Sequence, residues 1–456
     1  MDRKDITAEG LRIGIGFPSA VLLVMGGIIG VGIFVNPAVV ARGLTSPLLV
    51  LAAWGAGGLI ALLGAFVYAE LAARMPSTGG EYVYLRDTYG PLAGFLFGWT
   101  TLLVVQAGGM AAVTIVFARN LNVLAAGALP ERGVVVLTLA VLAGINCLGV
   151  KSGNGVQGLL GALKVAAITA LILAGLFIAP QVGFRPDEAR AAASTDPLKA
   201  FGAAMIPVVF SYGGWQTANY VAGEIRDPAR NLARALLVGV IAVISIYLLV
   251  NIACLRALGV EQLGRTLTPV SDVLQRATGP VGAGLAAGAI ALSAIAYLSQ
   301  SMLTGPRVYF AMARDGLFFR QVARVSDGSR APVIAIVLQA VWTGFLALSG
   351  SYEQILSYVT AMNFLFFGLS ASCLFVHRRR DASAGQGSGG YEAPFHPWTT
   401  GLFVAACLVI VGFSFWAYPV NSLVGYGILA LGVPPYLYWR AQSRRAAAAA
   451  VPPTDS

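Results

Sequence analysis

The sequence predicts an all-α polytopic membrane protein of about twelve transmembrane helices, built as a 5+5 inverted repeat in which helices 1 and 6 are broken. Three observations predict it. Apolar residues make up 57% of the 456-residue chain and charged residues 11%, at a mean hydropathy of +0.77. Apolar runs of about 20 residues recur along it, each long enough to cross a hydrocarbon layer of about 30 Å. Two of these runs carry helix breakers in their middles: Gly26, Gly27, Gly30 and Gly32 in one, Pro207, Gly213 and Gly214 in the other. Backbone N–H and C=O groups cannot stay unpaired in lipid, so such breaks survive only where they line a buried cavity or a ligand site.

Runs with few charges place spans at residues 18 to 40, 47 to 72, 92 to 118, 133 to 149, 156 to 179, 200 to 222, 234 to 256, 280 to 305, 332 to 350, 355 to 377, 398 to 418 and 422 to 439. The third and eighth are long enough to tilt or to hold a further break. Spans 1 to 5 and 6 to 10, about residues 15 to 180 and 200 to 378, form the two repeats, because the first member of each is the broken one. An odd number of spans per repeat turns the second upside down relative to the first. Two extra helices at about 398 to 440 complete a single membrane domain over 15 to 440. The tails are 1 to 14 and 441 to 456, and the Gly/Ser-rich stretch 381 to 390 reads as the flexible linker. The first span is longer and richer in glycine than a signal-peptide core and lacks an A-x-A site, so it is expected to stay in the protein.

Charge sets the orientation. Twenty of the thirty Lys and Arg residues fall on the tails and loops of the face that carries both termini, nine fall on the opposite loops, and Lys164 lies inside a span. Both termini are therefore expected in the cytoplasm. The net charge of +10 follows from this asymmetry and points to the lipid bilayer as contact, not to nucleic acid. The run Arg378, Arg379, Arg380 reads as an ordinary stop after span 10. Cys147, Cys254, Cys373 and Cys407 lie in apolar spans without C-x-x-C spacing, which excludes a zinc site or a disulfide framework and leaves them as small core residues. No metal and no cofactor are expected.

The breaks carry their own chemistry. A helix that restarts at mid-membrane presents free N–H groups and a positive dipole end, which suit a carboxylate. A helix that stops there presents free carbonyls, which suit an ammonium. Two facing breaks can thus bind a zwitterionic α-amino acid with no charged side chain.

The motif Gly27-Ile28-Ile29-Gly30-Val31-Gly32-Ile33-Phe34 resembles the first helix of the amino acid–polyamine–organocation superfamily. Phe210-Ser211-Tyr212-Gly213-Gly214-Trp215, followed by Glu224-Ile225-Arg226-Asp227-Pro228-Ala229-Arg230-Asn231-Leu232, is similar to its sixth helix and following loop, above all in the L-type amino acid transporter branch. Pro76-Ser77-Thr78-Gly79-Gly80-Glu81-Tyr82 and Ala313-Arg314-Asp315-Gly316 also match, so the likeness spans about residues 15 to 440. The resemblance implies a site drawn from Ile28, Ile29, Gly30, Val31, Gly32 and Ile33 of span 1 and Phe210, Ser211, Tyr212, Gly213 and Gln216 of span 6. In it the amides of Gly30, Val31 and Gly32 take the carboxylate, and the carbonyls of Ile28, Phe210, Ser211 and Gly213 take the ammonium. Phe210 closes over the substrate as the gate, the small Ser211 leaves side-chain room, and Gln216 tunes the pocket.

Lys164 stands out on its own. A charge within an apolar span costs roughly 2.5 to 3.5 kcal/mol on insertion scales and needs a partner. The resemblance implies that its ammonium stands where sodium-coupled relatives hold a sodium ion, bridging span 5 to the span 1 break. As a permanent cation it fits sodium-independent exchange, and as a group that gains and loses a proton it fits symport. His377 and His396 fall on the cytoplasmic side, outside any relay. Glu70, close to Arg74, and Glu224, near Arg226 and Arg230, read as gate or loop ion pairs.

The function expected is sodium-independent secondary transport of amino acids, neutral L-amino acids first, by alternating access in which spans 1, 2, 6 and 7 rock against the rest. A polyamine or other organic cation is the alternative substrate and wants acidic pocket residues that the sequence does not supply. A membrane-embedded enzyme needs paired Asp, a Ser/His or Cys/His set or metal ligands at membrane depth, and a channel needs a continuous polar pore; the spans offer none of these. The loop 119 to 132 has no cysteine, so no disulfide-linked heavy-chain partner is expected, and the protein is a monomer or homodimer.

Overall fold

The computed structural model describes residues 6–7, 10–44, 46–182, 197–349, 352–384, 390–417 and 419–449, and these are helical with no strand beyond two isolated bridges. Six helices are long and apolar enough to cross a membrane, or seven if the bent pair Phe17–Ile28 and Gly32–Gly43, which meet at 41°, is one span. Exposed Leu137, Leu159, Phe177, Val341 and Phe345 face outward from this bundle, as a lipid-facing surface requires.

Local sequence explains where the helices start and bend. Prolines at the first turn open Pro47–Arg74, Pro91–Thr100, Pro228–Arg265 and Pro269–Thr278, where the missing N–H has no helical partner to lose. The long third span holds a π-helical turn at Thr101–Val105 between Pro91–Thr100 and Gln106–Leu124, so the suspected irregularity is real. Residues predicted as a twelfth span fall on two helices, Pro419–Ala430 and Val433–Ala449. At the junction a Cβ on Gly432 would lie 2.8 Å from the Trp99 ring, so glycine lets the chain approach span 3 there. The linker expected at 381 to 390 lies outside the described residues over 385–389, as do 1–5, 8–9 and 450–456 of the tails and the stretch 183–196.

Two apolar cores form. The larger draws on every span but the fourth, among its members Trp54, Tyr68, Tyr212 and Tyr247; the smaller gathers residues of spans 3, 4, 8 and 9 around Met110, Leu139, Leu298 and Ile336, together with Val31 of span 1. The broken helices lie where these cores meet. On the face that carries the N-terminal segment, Gly14 and Ile15 donate to the Glu224 carbonyl (3.0 and 3.1 Å) and Arg226 donates to that of Ile15 (2.9 Å), strapping the chain start across the end of span 6.

Candidate functional site

Span 1 stops at Ile28 and restarts at Gly32. Between them the backbone groups turn to partners from elsewhere. The Lys164 ammonium, 1% exposed, donates to the carbonyls of Gly26 (3.2 Å) and Ile29; the Ser293 hydroxyl donates to Gly30 (3.0 Å), and the Tyr247 hydroxyl reaches Ile28 (3.0 Å). The first N–H groups of the restarted half, those of Gly32 and Ile33 among them, have no intrahelical acceptor. Gly30 differs from its expected role as an amide donor: its N–H turns back onto Ile28 (2.8 Å).

Span 6 runs as Pro197–Tyr212, turns at Gly213 and Gly214, and resumes as a tighter 3-10 helix over Trp215–Glu224. Gly214 sits at φ +107°, a conformation that side chains resist, and a Cβ there would land on the Gly27 carbonyl. In return, a Cβ on Gly27 would lie 2.5 Å from the Gly214 carbonyl. The two breaks are thus in backbone contact. The Gln216 side-chain carbonyl accepts the Gly214 N–H (3.0 Å), and the Thr217 hydroxyl donates to the Gly214 carbonyl (2.7 Å).

Around the breaks lies a cavity of about 70 Å³. One water needs roughly 10–15 Å³ on this scale, so the space suits a small solute. Of the predicted residues, Ile28, Gly30, Val31, Gly32, Phe210, Ser211, Gly213 and Gln216 line it, while Ile29, Ile33 and Tyr212 do not. Tyr212 packs edge-on to Trp54 and against Tyr247 instead. No Asp, Glu, Lys, Arg or His is among the lining residues. Phe210 packs against the second core with Tyr297. The Ser211 hydroxyl donates to Pro207 (2.8 Å) and accepts from Asn36 (2.7 Å), which ties the restarted half of span 1 to span 6.

Several members escaped sequence reading. Tyr247 lies within hydrogen-bond reach of both Ile28 and Ser211 carbonyls (3.0 and 3.1 Å), joining the breaks from span 7. Asn36 and Ser293 add side-chain partners, and Gln106, Tyr297 and Asn363 add lining. The polar Asn36 inside a broken span was the available signal; a tyrosine or serine on a regular helix gives none. Glu224 also differs from expectation. Its partner is not Arg226 or Arg230, both exposed, but Arg307, which grips it through two bonds of 2.7 and 3.0 Å with both side chains buried. Glu70 does pair with Arg74 (2.7 Å), and additionally with Arg378 (2.7 Å) and the Ala393 N–H. The four cysteines are free; Cys147 is half-buried and the other three are buried.

Comparison with known proteins adds a second line. The amino acid permease family profile matches residues 15–437. The large neutral amino acids transporter small subunit 2 of Mus musculus is 30% identical over 441 residues, covering 94% of this chain and 82% of its own. The serine/threonine exchanger SteT of Bacillus subtilis is 29% identical over 434 residues, covering 94% and 97%. The human b(0,+)-type amino acid transporter 1 is 27% identical over 388 residues, covering 83% and 79%.

Proposed function

The chain belongs to the amino acid permease family, and from that premise we propose that it exchanges neutral L-amino acids across the membrane, independently of sodium, by alternating access. It is a multi-pass membrane transporter of amino acids and not an enzyme. The observation that carries the finer reading is an uncharged cavity between two helix breaks in backbone contact. The N–H groups of Val31 and Gly32 take the substrate carboxylate, the carbonyls of span 6 take its ammonium, and Phe210 closes over it. The small cavity favours a compact side chain. An organic cation finds no acidic lining there. Spans 1 to 5 and 6 to 10 act as inverted repeats, and spans 1, 2, 6 and 7 rock against the rest.

Lys164 substitutes for a coupling cation by tying Gly26 and Ile29 to span 5. Proton symport is a second reading with an observation of its own: among the described residues both hydrogen-bond partners of this ammonium are carbonyls, and no carboxylate pairs with it. We place the protein in a bacterial inner membrane with both termini in the cytoplasm, working as a monomer or homodimer without a heavy chain, since the loop 119 to 132 has no cysteine.

Uptake of labelled amino acids into proteoliposomes, with and without internal amino acid and under imposed sodium and proton gradients, tests all of this. Uptake that requires internal neutral amino acid and ignores sodium is the expected result. Accumulation in empty vesicles driven by a proton gradient selects symport, and sodium-driven uptake or none at all overturns the proposal.

A further inference from the structure

On the face that carries the N-terminal strap, the buried carboxylates are paired with cations: Glu70 with Arg74 and Arg378, Glu224 with Arg307. Glu81 is the exception. It opens the short helix Glu81–Tyr89 between spans 2 and 3, outside the spans themselves, and is 1% exposed. Among the described residues no Arg, Lys or His pairs with it. Its two oxygens accept from the hydroxyls of Tyr68 (2.7 Å) and Tyr220 (3.1 Å). Other groups facing this cluster are Tyr84 of its own helix, Ser370 and Cys373 of span 10, Cys407 of span 11, and Tyr309 beyond span 8 beside Tyr220. All are uncharged at neutral pH.

Connectivity gives this carboxyl a role. The Glu81–Tyr89 helix packs on Pro91–Thr100 of span 3 and on span 10. Tyr68 belongs to span 2 and Tyr220 to the second half of span 6. Both bonds therefore run from an element attached to span 3 to two members of the set proposed above to rock. In the alternating-access reading, opening this face would part these elements, breaking both bonds and wetting the carboxyl.

We propose that Glu81 is a proton-binding site on the cytoplasmic face, taking up one proton when that face closes around it and returning it to the cytoplasm when the face opens. This rests on the alternating-access reading. Closure buries the carboxylate; a proton from cytoplasmic water bonds to one of its oxygens, and the carboxyl then donates to one phenol and accepts from the other. The same proton leaves to the same side, so none crosses the membrane, and the site senses cytoplasmic pH.

The sign follows from burial, which pushes the Glu81 carboxyl up to about 7 in the closed form against an ordinary value of roughly 4.3 once hydrated. The closed form holds the proton more tightly. Acidifying the cytoplasm through neutrality thus favours closure, and raising the pH favours opening.

The test uses the full-length protein. In liposomes, lowering the pH on the N-terminal face from about 8 to about 6, with the other side fixed, is expected to slow exchange several-fold. Glu81→Gln, which mimics the protonated form, is expected to be flat across that range at the slow rate. Infrared difference spectra of the detergent-solubilised protein are expected to show a carboxyl band titrating near neutral pH in the parent and absent from Glu81→Gln. Tyr220→Phe, which removes one bond to the ionised form, is expected to move that titration to higher pH. A parent-like pH profile in Glu81→Gln, an infrared titration indifferent to the substitution, or an unmoved midpoint in Tyr220→Phe overturns the proposal. If the parent exchanges no amino acid, the exchange reading fails alone, since the infrared titration reports on Glu81 without any transport.

Discussion

The two helix breaks meet backbone to backbone, yet they are held in opposite ways. The span 6 break is capped at Gly214 from within, where Gly214 supplies the positive φ and Gln216 and Thr217, two and three residues on, take its N–H and C=O, and from outside at Ser211 by Tyr247 and at Pro207 by Asn36. The span 1 break has one bond of its own, from the Gly30 N–H to the Ile28 carbonyl. Its carbonyls at Gly26, Ile28, Ile29 and Gly30 rely on Lys164, Tyr247 and Ser293 from spans 5, 7 and 8. A self-capped break is a rigid local device, whereas a cross-capped break reports the positions of three other helices. On the function proposed above, span 1 is the half that would couple substrate occupancy to helix arrangement.

Gly214→Ala gives the sharpest attack on the rigid half. It combines a strained φ, about 1–2 kcal/mol, with overpacking against Gly27, about 1–3 kcal/mol. Loss of the folded, monodisperse protein on size-exclusion chromatography is expected, and a parent-like melting temperature would refute the backbone contact. Phe210→Ala is expected to abolish uptake while leaving the melt unchanged, because the ring is half-buried at the cavity wall; normal transport rates would end its role as gate. Lys164→Ala probes the cross-capped half. Two carbonyls left unpaired cost about 1–3 kcal/mol each, so substrate affinity is expected to fall at least tenfold in equilibrium binding. Transport at the parent rate with unchanged pH dependence would contradict both roles offered for the ammonium. Tyr247→Phe removes the hydroxyl shared between Ile28 and Ser211, worth about 0.5–1.5 kcal/mol, and a loss of affinity of roughly two- to tenfold is expected. Thr217→Val is the mildest. It is expected to lower stability by about 1 kcal/mol with affinity nearly intact; a larger effect on binding than that of Tyr247→Phe would reverse the contrast between the breaks.

This contrast also explains what the sequence could disclose. Gly213, Gly214 and Pro207 announce the span 6 break because helix breakers inside an apolar span are visible as residue types, and the capping Gln216 and Thr217 follow within three residues. Lys164 was legible because a cation inside an apolar span has few explanations. Tyr247, Ser293 and Asn36 were not, since each looks like ordinary packing until its partner arrives from a distant segment. The Gly30 amide was misassigned for a related reason: a motif gives the order of residues, not which N–H turns back on its own chain. Glu224 was assigned to the nearby Arg226 and Arg230, but the bend at Ile225 leaves those two exposed and delivers Arg307 from 83 positions away. Glu81 lay in plain view inside a recognised motif, and only burial without a cation distinguishes it.

The caps of span 1 have a consequence for the order of synthesis. Lys164, Tyr247 and Ser293 stand 135, 219 and 263 positions after the carbonyls they satisfy at Ile29, Ile28 and Gly30. The ribosome delivers span 1 first and its last partner only after more than half the chain has followed. Until then its open carbonyls have no permanent donor in lipid, where each unpaired group costs several kcal/mol. The nascent first helix must therefore wait in a wet or proteinaceous environment, at the insertion machinery, or enter the bilayer as a continuous helix and break only when span 8 joins it.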